Sequence, residues 1–284
     1  MPTERTASIV IASRVRLPSH RGTKHAHVAR WLAVAALASI DTAFAGERQS
    51  LDGAPALVAL ASIAPDIVQD MRYATPHNFT GKPVPGYDAP VCWLRPAVAK
   101  ALARVQADLA GNSPPFGLAV LDCYRPRRSV AAFMSWARGK DDGATRNYYP
   151  SLERSSLIPR GYIARASTHS RGIAVDLTLV ARANASARAT GKALAAPCTD
   201  SAAAADGAGL DMGTAYDCFD ARSHTASAAS AAIGAAQREA RQTLKRAMER
   251  HGFTNYAKEW WHFSYPAADD GQSFDVPVTA APRP

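Results

Sequence analysis

The sequence lacks several features that would assign it quickly to a structural class. No two of its four cysteines stand at a CxxC spacing, so a zinc ribbon is not expected. Internal repeats are missing, which argues against solenoid and propeller architectures. The chain also has no regular alternation of strands and crossover helices, so a doubly wound sheet is not expected either. What remains is one domain in which helices and strands are mixed.

The net positive charge is also too small to indicate a nucleic-acid partner. Of the net charge of +9, residues 1–45 contribute +4 through six basic and two acidic side chains, which leaves +5 on the remainder. Apolar residues make up 47% of the 284 residues and charged residues 20%, as in ordinary globular proteins. We therefore expect no nucleic-acid binding.

The N-terminus has the pattern of a secretory signal. Arg30 precedes a ten-residue, mainly apolar stretch from Trp31 to Ile40, and Ala43 and Ala45 place small residues where a signal is cut. Ten residues are too few to span a bilayer. A disordered leader or an amphipathic first helix is the alternative. We expect cleavage after Ala45, a periplasmic location, and one domain over residues 46–284.

Export changes the expected chemistry of the cysteines. In a reducing cytosol they would be free thiols or metal ligands, but an even number in an oxidising compartment indicates disulfides. Four cysteines allow three pairings. The residues concerned are Cys92, Cys123, Cys198 and Cys218.

The periodicity of apolar residues predicts an α+β domain with a mixed or antiparallel sheet. Helical spacing covers 94–111, with a proline near the start and a glycine after the end. A second helix is expected to start near Ser129 and to carry 130–139, and strong helix formers at 232–253 predict a third, with Gly252 where its C-cap would lie. Short apolar or aromatic runs at 116–126 and 253–265 favour strands. An Ala-rich segment at about 181–209 has low complexity and is interpreted as a surface excursion.

One stretch, "ASTHSRGIAVDLTLV", brings a histidine and an aspartate within seven positions. From Ile173 onward apolar residues alternate with others, so on a strand Asp176 projects from the face opposite the apolar set. Gly172 supplies a bend that could bring His169 to the same point. Taken alone, an aspartate in a strand is more often hydrogen-bonded than metal-bound.

A catalytic zinc ion needs a third protein ligand and an open position. Residues 46–284 contain five histidines, and His262 is the strongest candidate because it follows Glu259 by three positions. A carboxylate there can act as general base toward water. Residues three apart on a regular strand face opposite sides, so the two side chains converge only at a bend. A histidine beside tryptophans is otherwise usually a packed core residue.

Together, the motifs resemble a known family. "STHSRGIAVD" fits the pattern SxHxxGxAxD and "EWWH" fits ExxH, the signature of zinc D,D-peptidases. Further segments are similar to the vancomycin-resistance-type D-Ala-D-Ala dipeptidases within that superfamily. They are "RYATPHNFTGKPVPGY", "DCYRPRRSV", "DMGTAYDCFDARSH" and "SFDVPV", so the resemblance runs from about Asp70 to Val278.

The resemblance implies a function and a set of site residues. It implies one zinc ion per chain and hydrolysis of D-Ala-D-Ala to two D-Ala, in cell-wall turnover or glycopeptide resistance. The implied zinc ligands are His169, Asp176 and His262. Glu259 would be the general base and Arg125 the donor to the oxyanion. Substrate contacts would come from Tyr73, Ser167 and Asp217, with Asp217 suited to pair with a free amine.

Arg125 and Asp217 could instead have structural roles, and the chain as a whole could have a different function. Arg125 could form a surface ion pair, and Asp217 could be a turn residue. A D,D-carboxypeptidase that trims longer peptides shares the metal motif, and a related fold could bind metal without catalysis. Intact Glu259 and Arg125 argue against a pure binding module, which needs neither.

The chain departs from the family in its Ala-rich segment and its cysteines. Cys198 and Cys218 flank part of that segment, between two family-like segments. A bridge between them would close a loop of about twenty residues and stabilise by roughly 3 kcal/mol on the chain-entropy model. Cys92 and Cys123 would then pair with each other.

Overall fold

A computed structural model describes residues 57–181, 192–200, 203, 209–225 and 232–281. The predicted leader, residues 1–45, lies outside the described residues. So does much of the predicted Ala-rich excursion. No helix within the described ranges is both long and apolar enough to cross a membrane.

Two sheets form the centre of the fold. The larger has five strands in the order β2-β4-β5-β7-β6, where β2 is Val68–Gln69, β4 is Phe116–Asp122, β5 is Ala174–Ala181, β6 is Thr254–Asn255 and β7 is His262–Ser264. Only the β2–β4 pairing is parallel. A second, two-stranded sheet pairs β1 (Val58–Ala59) with β3 (Trp93–Leu94). The mixed sheet and the helices around it confirm the α+β prediction.

The helix α1, Pro96–Ala110, follows from its sequence. Proline stands in its first turn, where its missing N–H has no intrahelical partner, and Gly111 follows its last residue. Apolar side chains recur three or four positions apart, and the helix buries them against the core. They are Val98, Leu102, Val105 and Leu109.

Two further helices complete the described set. The helix α2, Arg127–Arg138, begins directly after Pro126 and two residues before the expected start near Ser129. The helix α3, Ala235–Arg250, is followed after one residue by Gly252, whose φ of 89° lies in the left-handed region that glycine adopts without strain. The predicted glycine at this helix end is confirmed.

The segment from Phe253 to Tyr265 differs from the single strand that its aromatic residues favoured. It forms a hairpin in which β6 and β7 are antiparallel and a turn joins them. Backbone bonds within the turn run from the N–H of Glu259 to the carbonyl of Tyr256 and from the N–H of His262 to the carbonyl of Glu259. β-propensity reports a pleated, half-buried surface and does not reveal where a strand reverses.

Two disulfides join Cys92 to Cys123 and Cys198 to Cys218, which confirms the expected pairing. All four cysteines are fully buried. The first bridge joins the residue before β3 to the residue after β4. The second ties the described part of the Ala-rich segment to the loop before α3, so that part of the segment is anchored at Cys198.

Candidate active site

Three polar side chains form one row across the large sheet. Asp122 on β4 stands opposite Asp176 on β5, and Asp176 stands opposite His262 on β7. Directly opposite residues on neighbouring strands project from the same face with their Cβ atoms about 5 Å apart. The register therefore brings together residues that are far apart in the chain.

His169 reaches this row from a short turn that precedes β5. The 3₁₀ turn Thr168–Arg171 begins after Ser167, whose Oγ accepts a hydrogen bond from the backbone N–H of His169 at 3.2 Å. Gly172 ends the turn at a φ of 68°, and a Cβ there would lie 2.7 Å from a side-chain atom of Leu57. Glycine at this position lets the chain fold back so that the imidazole lies over Asp176.

Three donor atoms converge at this point. Nε2 of His169 lies 3.2 Å from Oδ1 of Asp176 and 3.1 Å from Nδ1 of His262, and that Nδ1 lies 3.0 Å from the same Oδ1. A tetrahedral zinc ion bound at about 2.0–2.1 Å holds its donor atoms about 3.3–3.4 Å apart. The residues present therefore fit a zinc ion. Within the described residues, they are the one cluster of three or more such ligands.

Hydrogen bonds from the outer ring nitrogens orient both histidines. Nδ1 of His169 lies 2.7 Å from the carbonyl oxygen of Cys123, so it carries the proton and leaves the Nε2 lone pair free. Nε2 of His262 lies 3.4 Å from Oγ1 of Thr168, which itself accepts a hydrogen bond from Ser264. Motif matching identified neither hydroxyl, because each acts only through the fold.

Arg125 and Asp122 form a buried ion pair behind the ligands. Nη2 of Arg125 lies 2.7 Å from Oδ2 of Asp122 and 3.5 Å from Oδ2 of Asp176. Burial acts to lower the pKa of Arg125, but the acidic groups around it, Asp122 first and Asp176 among the others, together outweigh burial and raise that pKa well above its usual value. The guanidinium is therefore a permanent cation at the edge of the ligand cluster, and not the partner of a surface carboxylate.

Asp122 was not among the predicted site residues. It is fully buried, and besides Arg125 it accepts a hydrogen bond from the hydroxyl of Tyr87 at 2.6 Å. Burial raises its pKa, while the charge of Arg125 opposes that effect. Its place at the start of "DCYRPRRSV", on the last residue of β4, was the signal available in the sequence.

Glu259 lies in the turn between β6 and β7, which is the bend that its spacing from His262 requires. Its Oε2 is 3.9 Å from Nδ1 of His262. Burial and, next, the charge of Asp176 raise the pKa of Glu259 to about 8. A carboxyl group with a pKa near neutrality can both accept and return a proton.

Asp217 and Tyr73 form a second polar group beside the ligands. The Tyr73 hydroxyl donates to Asp217 at 3.0 Å, and the hydroxyl of Tyr216 donates to Oδ2 of Asp176 at 3.0 Å. Asp217 is buried, and within the described residues no basic side chain lies at ion-pair distance from it. Burial and the charge of Asp176 raise its pKa well above the usual value. Tyr216, which links the two groups, was not singled out in the sequence.

One pocket of about 480 Å³ contains all of the predicted site residues. Its wall includes Tyr73, Arg125, Ser167, His169, Asp176, Asp217, Glu259 and His262. Two other histidines have different contacts. Nε2 of His251 lies 3.3 Å from Asp108 on α1, and Nε2 of His224 lies 2.9 Å from the hydroxyl of Tyr162. Neither is part of the ligand cluster.

Comparison with known proteins agrees with this geometry. The family model described as Peptidase M15, D-ala-D-ala dipeptidase, matches residues 54–191 and 180–279. The D-alanyl-D-alanine dipeptidase of Enterococcus faecalis is 38% identical over 195 residues, which cover 68% of this chain and 83% of that protein.

Two further relatives carry the same name. The D-alanyl-D-alanine dipeptidase of Enterococcus faecium is 36% identical over 74% of this chain and 91% of its own length. That of Escherichia coli is 30% identical over 75% of this chain and 86% of its own length. The chain therefore belongs to the peptidase M15 family of D-ala-D-ala dipeptidases, and it is an enzyme of the peptidase class.

Proposed function

We propose that the protein is a zinc-dependent dipeptidase that hydrolyses D-Ala-D-Ala to two molecules of D-Ala. The observation that carries the proposal is the convergence of three donor atoms, 3.0–3.2 Å apart, in a pocket that also contains a carboxyl group and a guanidinium. The names of the relatives support the choice of substrate.

His169, Asp176 and His262 would hold the metal. Two imidazoles and one carboxylate suit zinc, and three protein ligands are the number found in catalytic zinc sites. Zinc, when bound, supplies a Lewis acid that lowers the pKa of water to about 7 and polarises a carbonyl group. The ring orientations set by Cys123 and Thr168 direct the two nitrogen lone pairs toward that ion.

Glu259 would move the proton. Its carboxylate lies beside His262 in the pocket wall, where it can take a proton from the attacking water and return it to the leaving amine. A bound cation favours the charged form of Glu259, so the group would be ready to act as a base at neutral pH.

Arg125 would stabilise the negative charge that develops on the carbonyl oxygen. Asp122 fixes its Nε and Nη2, and the guanidinium lies over the rings of Tyr73 and Phe133 at 5.2 and 5.0 Å. Among the described residues Nη1 has no hydrogen-bond acceptor, so it is available to substrate. A donor held in place before the reaction needs no reorganisation during it.

Asp217 would bind the free α-amino group of the dipeptide, with Tyr73 and Ser167 as polar neighbours. A buried carboxylate without a cationic partner gains most from an ammonium group. A D,D-carboxypeptidase acts on a longer peptide in which this amine is acylated, so it has no use for such a carboxylate. This contrast favours the dipeptidase.

The compartment is part of the proposal. Residues 1–45 would direct export and be removed after Ala45, and the enzyme would work in the periplasm. Two buried disulfides support an oxidising compartment. There the reaction would serve cell-wall peptide turnover or glycopeptide resistance.

The metal assignment gives the first prediction. The purified protein should contain about one zinc ion per chain, and replacing His169, Asp176 or His262 by alanine should abolish stoichiometric zinc. Glu259→Ala should keep zinc but lose about two to four orders of magnitude in kcat, the usual contribution of a general base. Elemental analysis and release of D-Ala measure the two effects separately.

His251→Ala is the matched control, because His251 contacts Asp108 outside the pocket. It should keep both zinc and turnover. Wild-type turnover in Glu259→Ala would show that its assignment as the base is wrong, and retention of zinc in all three ligand variants would refute the metal site.

Removing the guanidinium tests the role of Arg125. In Arg125→Ala we expect kcat to fall by roughly two to three orders of magnitude, the usual effect of losing an oxyanion donor. Arg128→Ala is the control from the same segment, because its side chain is 46% exposed and pairs with Asp275. A change in KM alone for Arg125→Ala would indicate ground-state binding instead.

Substrate length separates the two peptidase alternatives. Acylating the amine removes a charge-assisted hydrogen bond and leaves Asp217 buried without a cationic partner, at a cost of several kcal/mol. Because each 1.4 kcal/mol is a factor of ten, kcat/KM should favour free D-Ala-D-Ala over its N-acyl form by about a hundredfold or more. Initial rates with the two peptides, measured side by side, give this ratio.

Asp217→Asn should lower the ratio of kcat/KM for free D-Ala-D-Ala to that for its N-acyl form, and it should leave the zinc content unchanged. Asp220→Asn is the control, because Asp220 accepts hydrogen bonds from Arg222 rather than from Tyr73. Equal or faster cleavage of the acylated peptide by the wild type would identify a carboxypeptidase, even with every metal ligand correctly assigned.

A further inference from the structure

Asp217 has an unusual backbone. Its φ is 58°, and it is the one non-glycine residue with a positive φ among those that the structure describes. The left-handed region is disfavoured for residues with a Cβ, although aspartate tolerates it better than most. Such a conformation persists only where the surrounding structure holds it in place. At Asp217 the contacts of the neighbouring residues Tyr216 and Cys218 hold it.

The residues on either side of Asp217 are fixed in different ways. On one side the hydroxyl of Tyr216 donates to Asp176 at 3.0 Å, so this residue is anchored at the ligand cluster. On the other side Cys218 is bonded covalently to Cys198. The N–H of Phe219 then donates to the carbonyl of Tyr148 at 2.8 Å. The disulfide anchors the C-terminal side of Asp217 at Cys218, whose carbonyl also accepts a hydrogen bond from the Ser223 hydroxyl at 2.7 Å.

Cys198 is itself held from two directions. Its N–H donates to the carbonyl of Asn147 at 2.8 Å, and its carbonyl accepts from the N–H of Ala215 at 2.8 Å. Cys198 therefore joins both flanks of Asp217 to one point near Asn147, Ala215 through a backbone hydrogen bond and Cys218 through the disulfide. Asn147 reinforces this point, because its side chain donates to the carbonyl of Leu194 at 2.8 Å.

Tyr216 and Phe219, on either side of Asp217 and Cys218, pack into the main core. The bridge between Cys198 and Cys218 has little apolar packing of its own. Its buried residues form a small cluster, separate from the main core, that consists of Cys198, Ala203, Ala215 and Cys218. Hydrophobic stabilisation scales with the apolar area buried, and alanine contributes little area. A covalent bond therefore provides a larger share of the rigidity here than it would in the main core.

We propose that the Cys198–Cys218 disulfide determines specificity by holding the Asp217 carboxylate against Tyr73, in position for a substrate ammonium group. The proposal rests on the proposed dipeptidase function. Without the bridge, the backbone at Asp217 relaxes toward common φ values and its carboxylate leaves the Tyr73 hydroxyl. Free dipeptide then loses its charged partner, whereas an N-acyl peptide loses nothing.

The Cys92–Cys123 disulfide provides a matched control, because it lies next to the ligand cluster and not next to Asp217. Cys92–Cys123 is also fully buried, but the backbone carbonyl of Cys123 contacts His169 and not the amine side. Removing it tests for the general loss of stability that any buried disulfide causes. Removing Cys92–Cys123 leaves the Cys198–Cys218 bridge beside Asp217 intact.

The experiment compares kcat/KM for free D-Ala-D-Ala with that for its N-acyl form in a double-mutant cycle. The cycle contains the wild type, Asp217→Asn, C198A/C218A and the combined variant. We expect the preference for the free dipeptide to fall about tenfold in C198A/C218A. The combined variant should show the same preference as Asp217→Asn alone, because the disulfide acts through Asp217 and the two changes are therefore not additive. The zinc content of C198A/C218A should stay at the wild-type value. C92A/C123A should keep the wild-type ratio of the two kcat/KM values even if its turnover of both peptides falls, because Cys123 contacts His169 and not Asp217.

Each outcome decides a different claim. An unchanged ratio in C198A/C218A, or effects that add in the combined variant, would overturn the role of the disulfide while leaving the dipeptidase intact. A wild type without preference for the free dipeptide would instead refute the proposed function. If C198A/C218A does not fold, C198A/C218V fills more of the space of the bridge with apolar atoms, and its ratio gives the same decision.

Discussion

The pairing of Asp176 with its neighbours on β4 and β7 is the constraint on which the rest of the site depends. It places Asp122, Asp176 and His262 in one row on one face of the sheet. A register slip of one residue would turn any one of these side chains to the opposite face. The short turn before β5 places His169 beside this row.

The pocket also has more acidic than basic side chains, which favours binding of cationic groups. Asp122, Asp176, Asp217 and Glu259 lie in or directly behind it, while Arg125 is the one lysine or arginine among the described residues that line it. Burial and, next, the charge of Asp176 raise the pKa of Asp217 and of Glu259. A divalent cation at the ligand cluster and an ammonium group at Asp217 would supply the missing positive charge, so the same field favours both metal and substrate.

The sequence predicted the parts of this site that depend on local pattern. Alternation along β5 correctly separated Asp176 from the apolar face, and Gly172 correctly marked the bend beside His169. The aromatic run before His262 suggested a single strand, because the turn that reverses it has no glycine or proline to mark it. Asp122 and Tyr216 were missed, since their contacts with Arg125 and Asp176 depend on register and on loop packing that no local period encodes.

Asp176 on β5 and His262 on β7, together with His169, form the proposed zinc site. X-ray absorption spectroscopy at the zinc edge of the zinc-loaded protein tests this site. We expect nitrogen and oxygen neighbours at about 2.0–2.1 Å, with the outer-shell scattering of two imidazoles and no sulfur shell at about 2.3 Å. A sulfur shell, or scattering from fewer than two imidazoles, would contradict it.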